Sequence, residues 1–499
     1  MLSSIDFNKL IDLFKYNPQN PLYFSSSFFL FFFFALVVFY RFASKSKNIK
    51  IYTIIFFSLF FYYRNSGFFF LLLFFTTFTN FYLGNWLYKT DSPGFKRFLF
   101  ITAIVIDLAL LGYFKYTNFI IRIINDIHSG HLNPLDILLP VGISFYTFKA
   151  MSYVIELFIG TMEPTNSLRD FSLYMFFFPN ILAGPIDRAA AFLPQIEHDF
   201  KISKADVGRA VFLILCGLFK KNVIADYIGL NFVDRVFEVP LRFTGVENLL
   251  ATYAYALQIY CDFSGYTDMA LGIALLLGFK LMDNFNIPFK ASSIADYWRR
   301  WHISLSTWLL DYLFKPLQIK FRRARVYGSA AAIFITFLIV GIWHGANWTF
   351  VVFGLIHSTY LAVSLLTQKF RNSFYRKIRI SGTKTLKIFQ IFITFHLLLI
   401  TAIVFRSDSL QTAFNVFHQI FTFFHGAVFF QWIAGYSKVF YLMLLGYALH
   451  FIPKSVDNKI QNIITESPVV VQALLIALMI VIVVQVESAQ LQPVIYFNF

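Results

Sequence analysis

The sequence predicts an all-α polytopic membrane protein. Hydrophobic residues make up 58% of the 499 residues and charged residues only 14%, whereas soluble globular proteins carry about 25% charged residues. Apolar runs long enough to cross a hydrocarbon core of about 30 Å recur along the whole chain, with Lys and Arg at their ends. We therefore expect each run to form a helix in the membrane.

The net charge of +16 falls mostly in short loops between the apolar runs. Such loops mark the cytoplasmic face, so the charge does not indicate nucleic-acid binding. The N-terminal stretch 1–20 has no basic n-region and no small-residue cleavage site, and we expect no cleaved signal peptide. Cys216 and Cys261 lie in apolar segments without a CxxC spacing, which is typical of small buried residues.

Residues 1–135 are predicted to form a group of N-terminal transmembrane helices. Lys and Arg are concentrated in the loops 41–50 and 89–97, which places these loops in the cytoplasm and the N-terminus outside. The apolar runs of this part lie at 22–40, 51–63, 68–88 and 98–114.

Residues 136–367 are predicted to form a core with re-entrant segments, since the pattern changes at its start. Gly and Pro interrupt the apolar runs LLPVGISFYTF (138–148) and FFFPNILAGPIDR (176–188). Non-helical backbone at membrane depth is tolerated only where protein or a water-filled cavity surrounds it. These interruptions indicate re-entrant segments around an internal chamber, and kinks that serve packing alone are the alternative.

Two acidic residues lie inside the long apolar run 248–278, which follows another run at 209–230. Acids at this depth normally face a bundle interior and are paired, which is our expectation for Asp262. Asp268 is a candidate supporting residue that would orient a histidine or hold an arginine, and a purely structural ion pair is the equal alternative.

The position of His344 follows from charge and from the number of crossings. The basic segments 279–327 and 368–387 must both be cytoplasmic, and two apolar runs, 328–343 and 348–366, separate them. We therefore expect a hairpin with His344 at its turn, about 24 Å from the basic end at 1.5 Å per residue.

A titratable side chain at that depth is a candidate functional residue. Desolvation keeps an imidazole neutral, the form that a general base requires. His344 would take a proton from a hydroxyl that attacks a thioester and return it to the leaving thiol. Trp343 and Asn347 in GIWHGANW are supporting candidates, and a packed polar cluster is the alternative interpretation. The ten histidines show no HxxxH or HExxH spacing, so no metal site is predicted.

The segment 294–312 predicts one amphipathic helix along the cytoplasmic interface, because Trp and apolar residues recur at steps of three and four. His302 borders its apolar stripe and is the second catalytic candidate. Arg299 and Arg300 would suit an anionic donor such as the phosphates of a coenzyme, and Ser306 is a further supporting candidate. A helix that only anchors the chain at the interface is the alternative.

Residues 368–499 are predicted to form C-terminal transmembrane helices and a tail. If the aromatic-rich run 411–430 lies flat or re-enters, the tail QLQPVIYFNF falls outside. The apolar runs of this part lie at 388–405, 411–430, 437–452 and 468–486.

Taken together, these blocks resemble the membrane-bound O-acyltransferase (MBOAT) superfamily, and most closely its bacterial branch with the membrane subunit of alginate O-acetylation and its peptidoglycan and teichoic-acid relatives. The specific signal is WRRWHIS followed by WHGANW. The similarity runs through the following segments: 138–148, 176–188, 258–274, 284–313 and 341–357.

The resemblance implies an MBOAT-like helical bundle with re-entrant segments around a central tunnel, with His344 matching the catalytic histidine of the family and His302 its second functional histidine. It implies a cytoplasmic acyl donor, acetyl-CoA, and transfer toward hydroxyls of an extracytoplasmic polysaccharide at the bacterial inner membrane. An extracytoplasmic SGNH-type acetyltransferase is the expected partner, and Tyr496 in PVIYFNF is the candidate acyl relay.

The chain departs from the family pattern in two places, of which the first concerns the donor side. After DYLF the chain reads KPLQIKFRRARVYG, where the family has an IPLGG-type turn, and Asn180 stands where Gln or His is commoner. A transporter or polysaccharide-export channel is the competing function, because intramembrane acids and broken helices serve transport as well. A non-catalytic assembly subunit is a third reading.

Overall fold

The computed structural model describes residues 12–42, 46–128, 131–198, 202–486 and 493–495. Helices account for 79% of the described residues, which contain no β-strand. This confirms the predicted all-α class.

Several of these helices can cross a membrane. Five in the described part are long and apolar enough to do so, and the number rises to seven if two sharply bent helix pairs each form one span. The chain is therefore a multi-pass membrane protein, as predicted. The five are Lys47–Lys89, Pro93–His128, Arg322–His344, Trp348–Leu366 and Lys384–Arg406.

The chain forms two compact units. The first comprises residues 1–210 and 270–281, and the second comprises 211–269 and 282–499. The division of the sequence into three parts, 1–135, 136–367 and 368–499, stays a prediction. The helices of the first unit, the last of which continues into the second, are α1 (Ser27–Phe42), α2 (Lys47–Ser66), α3 (Phe70–Lys89), α4 (Pro93–His128), α5 (Ile143–Ile159), α6 (Leu168–Phe176), α7 (Phe178–Ile181), α8 (Ala189–Glu197) and α9 (Lys204–Leu218).

The two Gly- and Pro-interrupted segments of the first unit contact each other. Gly142 precedes α5 with φ of +79°, and a methyl group added there would lie 2.4 Å from the carbonyl oxygen of Ile181. Helices α6 and α7 have nine and four residues, too few to span a bilayer. The backbone thus breaks where the sequence predicted re-entrant segments.

Asn180, one of the departures from the family pattern, holds a buried polar cluster in this unit. Its side-chain oxygen accepts from Lys149 Nζ at 2.9 Å, and its amide donates to Asp187 Oδ2 at 3.1 Å. Lys149 also donates to the carbonyl oxygen of Tyr174 at 2.6 Å. Because a buried charge has to be paired and hydrogen-bonded, Asn180 serves as the bridge between a cation and an anion.

The second unit contains the segments that carry both candidate histidines. Its helices, after the C-terminal part of α9, are α10 (Asp234–Glu238), α11 (Gly245–Leu276, whose end belongs to the first unit), α12 (Ile294–Trp298), α13 (Ile303–Leu309), α14 (Lys315–Lys320), α15 (Arg325–His344), α16 (Trp348–Leu366), α17 (Gln368–Lys377), α18 (Lys384–Arg406), α19 (Leu410–Thr422), α20 (Val428–Gly435), α21 (Ser437–His450), α22 (Lys454–Glu466) and α23 (Val469–Val486).

Helices α15 and α16 form the hairpin that the charge pattern predicts. Gly341 and Gly354 let the two backbones approach closely. A methyl group at Gly341 would lie 2.3 Å from the carbonyl oxygen of Phe350, and one at Gly354 would lie 2.5 Å from that of Phe337. Only glycine permits such an approach, so the hairpin geometry depends on these two positions.

Candidate active site

His344 is the last residue of α15 and lies at the tip of the hairpin. Its side chain is 2% exposed and is surrounded by aromatic rings. Ring centroids lie 5.1 Å away for Trp343, 5.2 Å for Phe405 and 5.6 Å for Phe353, all in edge-on geometry. The imidazole is therefore packed among aromatic side chains at the tip of the hairpin.

The turn that presents His344 is held by Asn347. Its side-chain oxygen caps α16 by accepting the N–H of Thr349 at 3.2 Å, and its amide donates to the carbonyl oxygen of Asp408 at 2.8 Å. A methyl group at Gly345 would lie 2.2 Å from the ring of Phe350. Asn347, a predicted supporting residue, thus positions the turn through backbone contacts.

His302 occupies a break in the chain and not a continuous helix. The predicted single helix over 294–312 is wrong, because α12 ends at Trp298 and α13 begins at Ile303. His302 caps α13 with φ of +45°, a left-handed conformation that is rare for a residue with a side chain. Backbone strain of this kind is concentrated at functional sites and persists only where the surroundings impose it.

The surroundings of His302 are fully buried. Nδ1 lies 3.4 Å from Asn284 Oδ1, which also accepts from the Ser304 hydroxyl at 2.7 Å, and the ring packs edge-on against Phe263 at 4.8 Å. Burial lowers the pKa of His302 to about 3. The imidazole is therefore neutral at physiological pH, and because Asn284 Oδ1 is an acceptor the contact favours a proton on Nδ1.

Trp343 is a neighbour of both candidate histidines. Its ring centroid lies 5.1 Å from that of His344 and 6.3 Å from that of His302. The sequence argument placed His302 at the membrane edge and His344 deep in the membrane, whereas the structure brings both against one indole. Trp343, predicted as a supporting residue, links them.

A small cavity of about 50 Å³ lies beside His344. By the volume that a buried water requires, it has room for about three water molecules. His302 is not among its lining residues. The walls are formed by Tyr255, Ile259, Tyr297, Trp298, Trp301, His344, Phe353, His357, Leu398, Thr401, Ala402 and Phe405.

His357 is a cavity residue that sequence reasoning missed. It lies on α16, is 1% exposed, and its Nδ1 accepts the indole N–H of Trp298 at 3.2 Å. Phe353 packs against it at 4.5 Å and against His344 at 5.6 Å. The signal was present, since a histidine inside an apolar run is itself a candidate functional residue.

The predicted pairing of the intramembrane acids is confirmed, with lysines as partners. Asp268 Oδ2 lies 2.6 Å from Lys220 Nζ, so its ion-pair partner among the described residues is a lysine and not a histidine or an arginine. Asp262 Oδ1 lies 2.6 Å from Lys221 Nζ. Both lysines lie on a π-helical stretch, Phe219–Asp226, that continues α9. The missed signal was the adjacent lysine pair inside the run 209–230.

The predicted donor-binding arginines differ in their surroundings. Arg300 Nε lies 3.1 Å from Asp296 Oδ1, and Arg300 also donates to the carbonyl oxygen of Asn286 at 3.2 Å. The Arg299 side chain is 72% exposed and lies 3.7 Å from Asp296. Ser306 donates to the carbonyl oxygen of Trp301 at 3.2 Å. Arg299 is thus the more accessible of the two arginines.

Tyr496, the candidate relay, lies outside the described residues. The backbone N–H of Ile495 donates to Asp262 Oδ2 at 2.8 Å, and the carbonyl oxygen of Pro493 accepts from Lys221 at 3.3 Å. The described residues contain no group of three or more His, Cys, Asp or Glu side chains that could hold a metal ion.

We compared the chain with known protein families and with known relatives. Residues 164–405 match the model of the membrane-bound O-acyltransferase family. The chain is 37% identical over 329 residues to the probable alginate O-acetylase of Pseudomonas aeruginosa, covering 65% of this chain and 60% of that protein. It therefore spans about three fifths of that relative's length.

Two further relatives are covered more completely. The probable alginate O-acetylase of Pseudomonas putida is 35% identical over 357 residues, which are 70% of each chain. The peptidoglycan O-acetyltransferase of Helicobacter pylori is 33% identical over 368 residues, which are 68% of this chain and 67% of that protein.

Proposed function

This chain belongs to the membrane-bound O-acyltransferase family, as its motifs predicted. We propose that it transfers an acetyl group from a cytoplasmic thioester toward hydroxyls of a cell-envelope or secreted polysaccharide. The observation that carries the proposal is His344, a buried imidazole at the tip of a hairpin that lines a cavity. The names of relatives that acetylate alginate and peptidoglycan support this substrate class.

In the proposed reaction His344 is the general base. It removes the proton from the attacking hydroxyl, whose oxygen forms a bond to the thioester carbonyl carbon. The carbon–sulfur bond then breaks, and the imidazolium returns the proton to the departing thiolate. General base catalysis of this kind contributes typically 10²–10⁴-fold to the rate.

His302 is proposed to act through Trp343. The neutral imidazole of His302, whose ring centroid lies 6.3 Å from that of Trp343, restricts an indole that also packs against His344. Because burial lowers its pKa to about 3, His302 does not exchange protons near neutral pH. In this reading it is a positioning residue.

The donor is proposed to be acetyl-CoA, which needs cationic partners for its phosphates. The exposed guanidinium of Arg299, in the basic segment 279–327, fits this need, and Arg300 beside it contributes charge. The cavity beside His344, at about 50 Å³, is too small for a thioester head group and a hydroxyl together. Side chains must move apart for the reactants to meet.

The remaining parts of the system are proposed from the family resemblance. The chain is placed in the bacterial inner membrane, and an extracytoplasmic SGNH-type acetyltransferase passes the group to the polysaccharide. Tyr496 is the proposed acyl relay. Ile495, the residue before it in the sequence, donates its backbone N–H to the buried Asp262 carboxylate.

The test is acetyl transfer by membranes that contain the chain. We expect His344→Ala to lower transfer from labelled acetyl-CoA to envelope polymer at least 100-fold, with an unchanged amount of protein in the membrane. His425→Ala, which removes an exposed histidine, is the matched control and should keep full activity. Full transfer by His344→Ala would refute the proposal, and polymer or ion flux through liposomes without an acyl donor would favour a transporter.

A further inference from the structure

A second imidazole faces the cavity beside His344. His357 lines it together with His344, and the two rings pack against the same Phe353 side chain, at 4.5 Å and 5.6 Å between centroids. Both histidines belong to the hairpin of α15 and α16, whose backbones are locked together at Gly341 and Gly354. Their relative positions are therefore fixed by a rigid element.

The hydrogen bond from Trp298 fixes which nitrogen of His357 carries the proton. The indole nitrogen can only donate, and it lies 3.2 Å from Nδ1 of His357. Nδ1 is therefore the acceptor, and in the neutral ring Nε2 carries the hydrogen. In the described part of the chain, the hydrogen bonds of His357 engage Nδ1 alone, so the polar group that this residue offers to the cavity is Nε2–H.

The surroundings make that N–H suitable for an electrophilic role. The His357 ring is 1% exposed and is enclosed by Phe337, Phe353 and Trp298. In a dry, preorganised site a single donor aimed at developing negative charge is worth much more than in water. A neutral imidazole held in this way can polarise a carbonyl group without giving up its proton.

We propose that His357 donates Nε2–H to the carbonyl oxygen of the acyl group while His344 deprotonates the nucleophile. This inference rests on the proposed acyl transfer. When the hydroxyl oxygen bonds to the carbonyl carbon, the π-electron pair moves to the carbonyl oxygen, where His357 stabilises it. The pair returns as the carbon–sulfur bond breaks, and the proton on Nε2 stays in place throughout.

The competing explanation is a core histidine whose only role is to accept the N–H of Trp298. Two substitutions separate the explanations, because Asn places its amide near the position of Nδ1 and Gln places it near that of Nε2. His357→Gln keeps a donor for the cavity, whereas His357→Asn keeps an acceptor for Trp298. His357→Leu removes both.

The experiment measures thiol release from acetyl-CoA and acetyl transfer by membranes of each variant, with protein folding checked by size exclusion in detergent. We expect His357→Leu and His357→Asn to lower kcat about 100-fold, as loss of one oxyanion donor does, with KM for acetyl-CoA changed less than threefold. His357→Gln should retain at least a tenth of the activity.

The matched control is Thr336→Val. Thr336 is buried on the same hairpin but is not among the cavity residues, and its hydroxyl donates to the backbone oxygen of Ala332 at 2.8 Å, so its removal should leave kcat within threefold. Rescue by Asn and not by Gln would overturn the inference, as would full activity of His357→Leu. If His357→Leu does not fold, the comparison of the Gln and Asn variants decides alone.

A failure of the role proposed for His357 can be distinguished from a failure of the proposed acyl transfer. If the wild type and His344→Ala are equally inactive with acetyl-CoA, acyl transfer itself is refuted. If His344→Ala is inactive while His357→Leu is as fast as the wild type, only the role of His357 is refuted.

Discussion

Lys221 Nζ lies 2.6 Å from Asp262 Oδ1, and both side chains are 2% exposed. The second oxygen of Asp262 accepts the backbone N–H of Ile495 at 2.8 Å. One carboxylate therefore joins a π-helical lysine to the last described residues of the chain. Removing one partner would leave a buried charge uncompensated, so this pair should contribute both to the stability of the second unit and to its contacts with Pro493 and Ile495.

Lys221→Met should destabilise the protein by about 3–5 kcal/mol, since Asp262 then loses its cation. The double variant Lys221→Met with Asp262→Asn should recover most of that loss, because the other carboxylate beside Lys221, that of Asp226 at 2.8 Å, is 20% exposed and stays partly solvated. Thermal unfolding in detergent measures both effects.

The control for this prediction is Lys220→Met. Its pair with Asp268 has side chains that are 28% and 18% exposed, so water screens the carboxylate that remains and the loss should be smaller. Equal losses for Lys220→Met and Lys221→Met would contradict the argument from burial.

Gly341→Ala should separate the two helices of the hairpin. The new methyl group would lie 2.3 Å from the backbone oxygen of Phe350, and overpacking of this kind costs about 1–3 kcal/mol. We expect a lower unfolding temperature and loss of acyl transfer, because His344 lies at the end of the same helix. Gly435→Ala, where nothing lies within 4 Å of the added methyl group, is the control. Equal effects of the two substitutions would show that the close approach is unimportant.

The hairpin was predictable because its determinants are local in the sequence. The basic segments 279–327 and 368–387 favour the same side of the bilayer, and two apolar runs lie between them. Together these features predict two helices that cross and return. The same reasoning predicted paired acids in 248–278. It could not identify Lys220 and Lys221 as the partners, because ion pairing between distant segments depends on tertiary packing.

The site around His302 could be predicted only in part. The repeat of Trp and apolar residues in 294–312 favours a single helix, and propensity gives no signal for a left-handed residue at its centre. The ring of His302 contacts Asn284 and Phe263, which lie outside this segment, so its surroundings are formed only in the fold. His357 could have been named as a histidine inside an apolar run, but its tautomer depends on a hydrogen bond from Trp298 that exists only in the fold.

The stability of the protein should depend on pH through His302. Its folded pKa of about 3 lies below the usual 6.5, so between these values the unfolded chain binds a proton that the folded chain does not. The contribution of the buried, neutral His302 to the free energy of unfolding is therefore complete above pH 6.5. It decreases as the pH is lowered from 6.5 toward 3, by roughly 1.4 kcal/mol per pH unit. His302→Asn lacks this titration.

The measurement compares the wild type and His302→Asn at pH 7.5 and 5.0. The stability advantage of the wild type over the variant should shrink by about 2 kcal/mol between these two conditions. Parallel pH dependence of the two proteins would show that His302 is not buried as described. His302 does not titrate near neutral pH. The substitution should therefore lower the rate of acyl transfer at every pH without shifting the apparent pKa values of the pH–rate profile.

Arg299→Ala should weaken donor binding without weakening the fold. The side chain is 72% exposed and its contact with Asp296 is 3.7 Å, so its loss should change stability by less than about 1 kcal/mol. If the guanidinium binds donor phosphates, KM for acetyl-CoA should rise severalfold, and the rise should diminish at high salt because exposed charges are screened. Lys315→Ala, which removes a 56% exposed cation paired with Asp311 at 2.7 Å, is the matched control. Since both substitutions remove one positive charge from the same basic segment, an equal change in KM for the two would mean that net charge, and not a site at Arg299, attracts the donor.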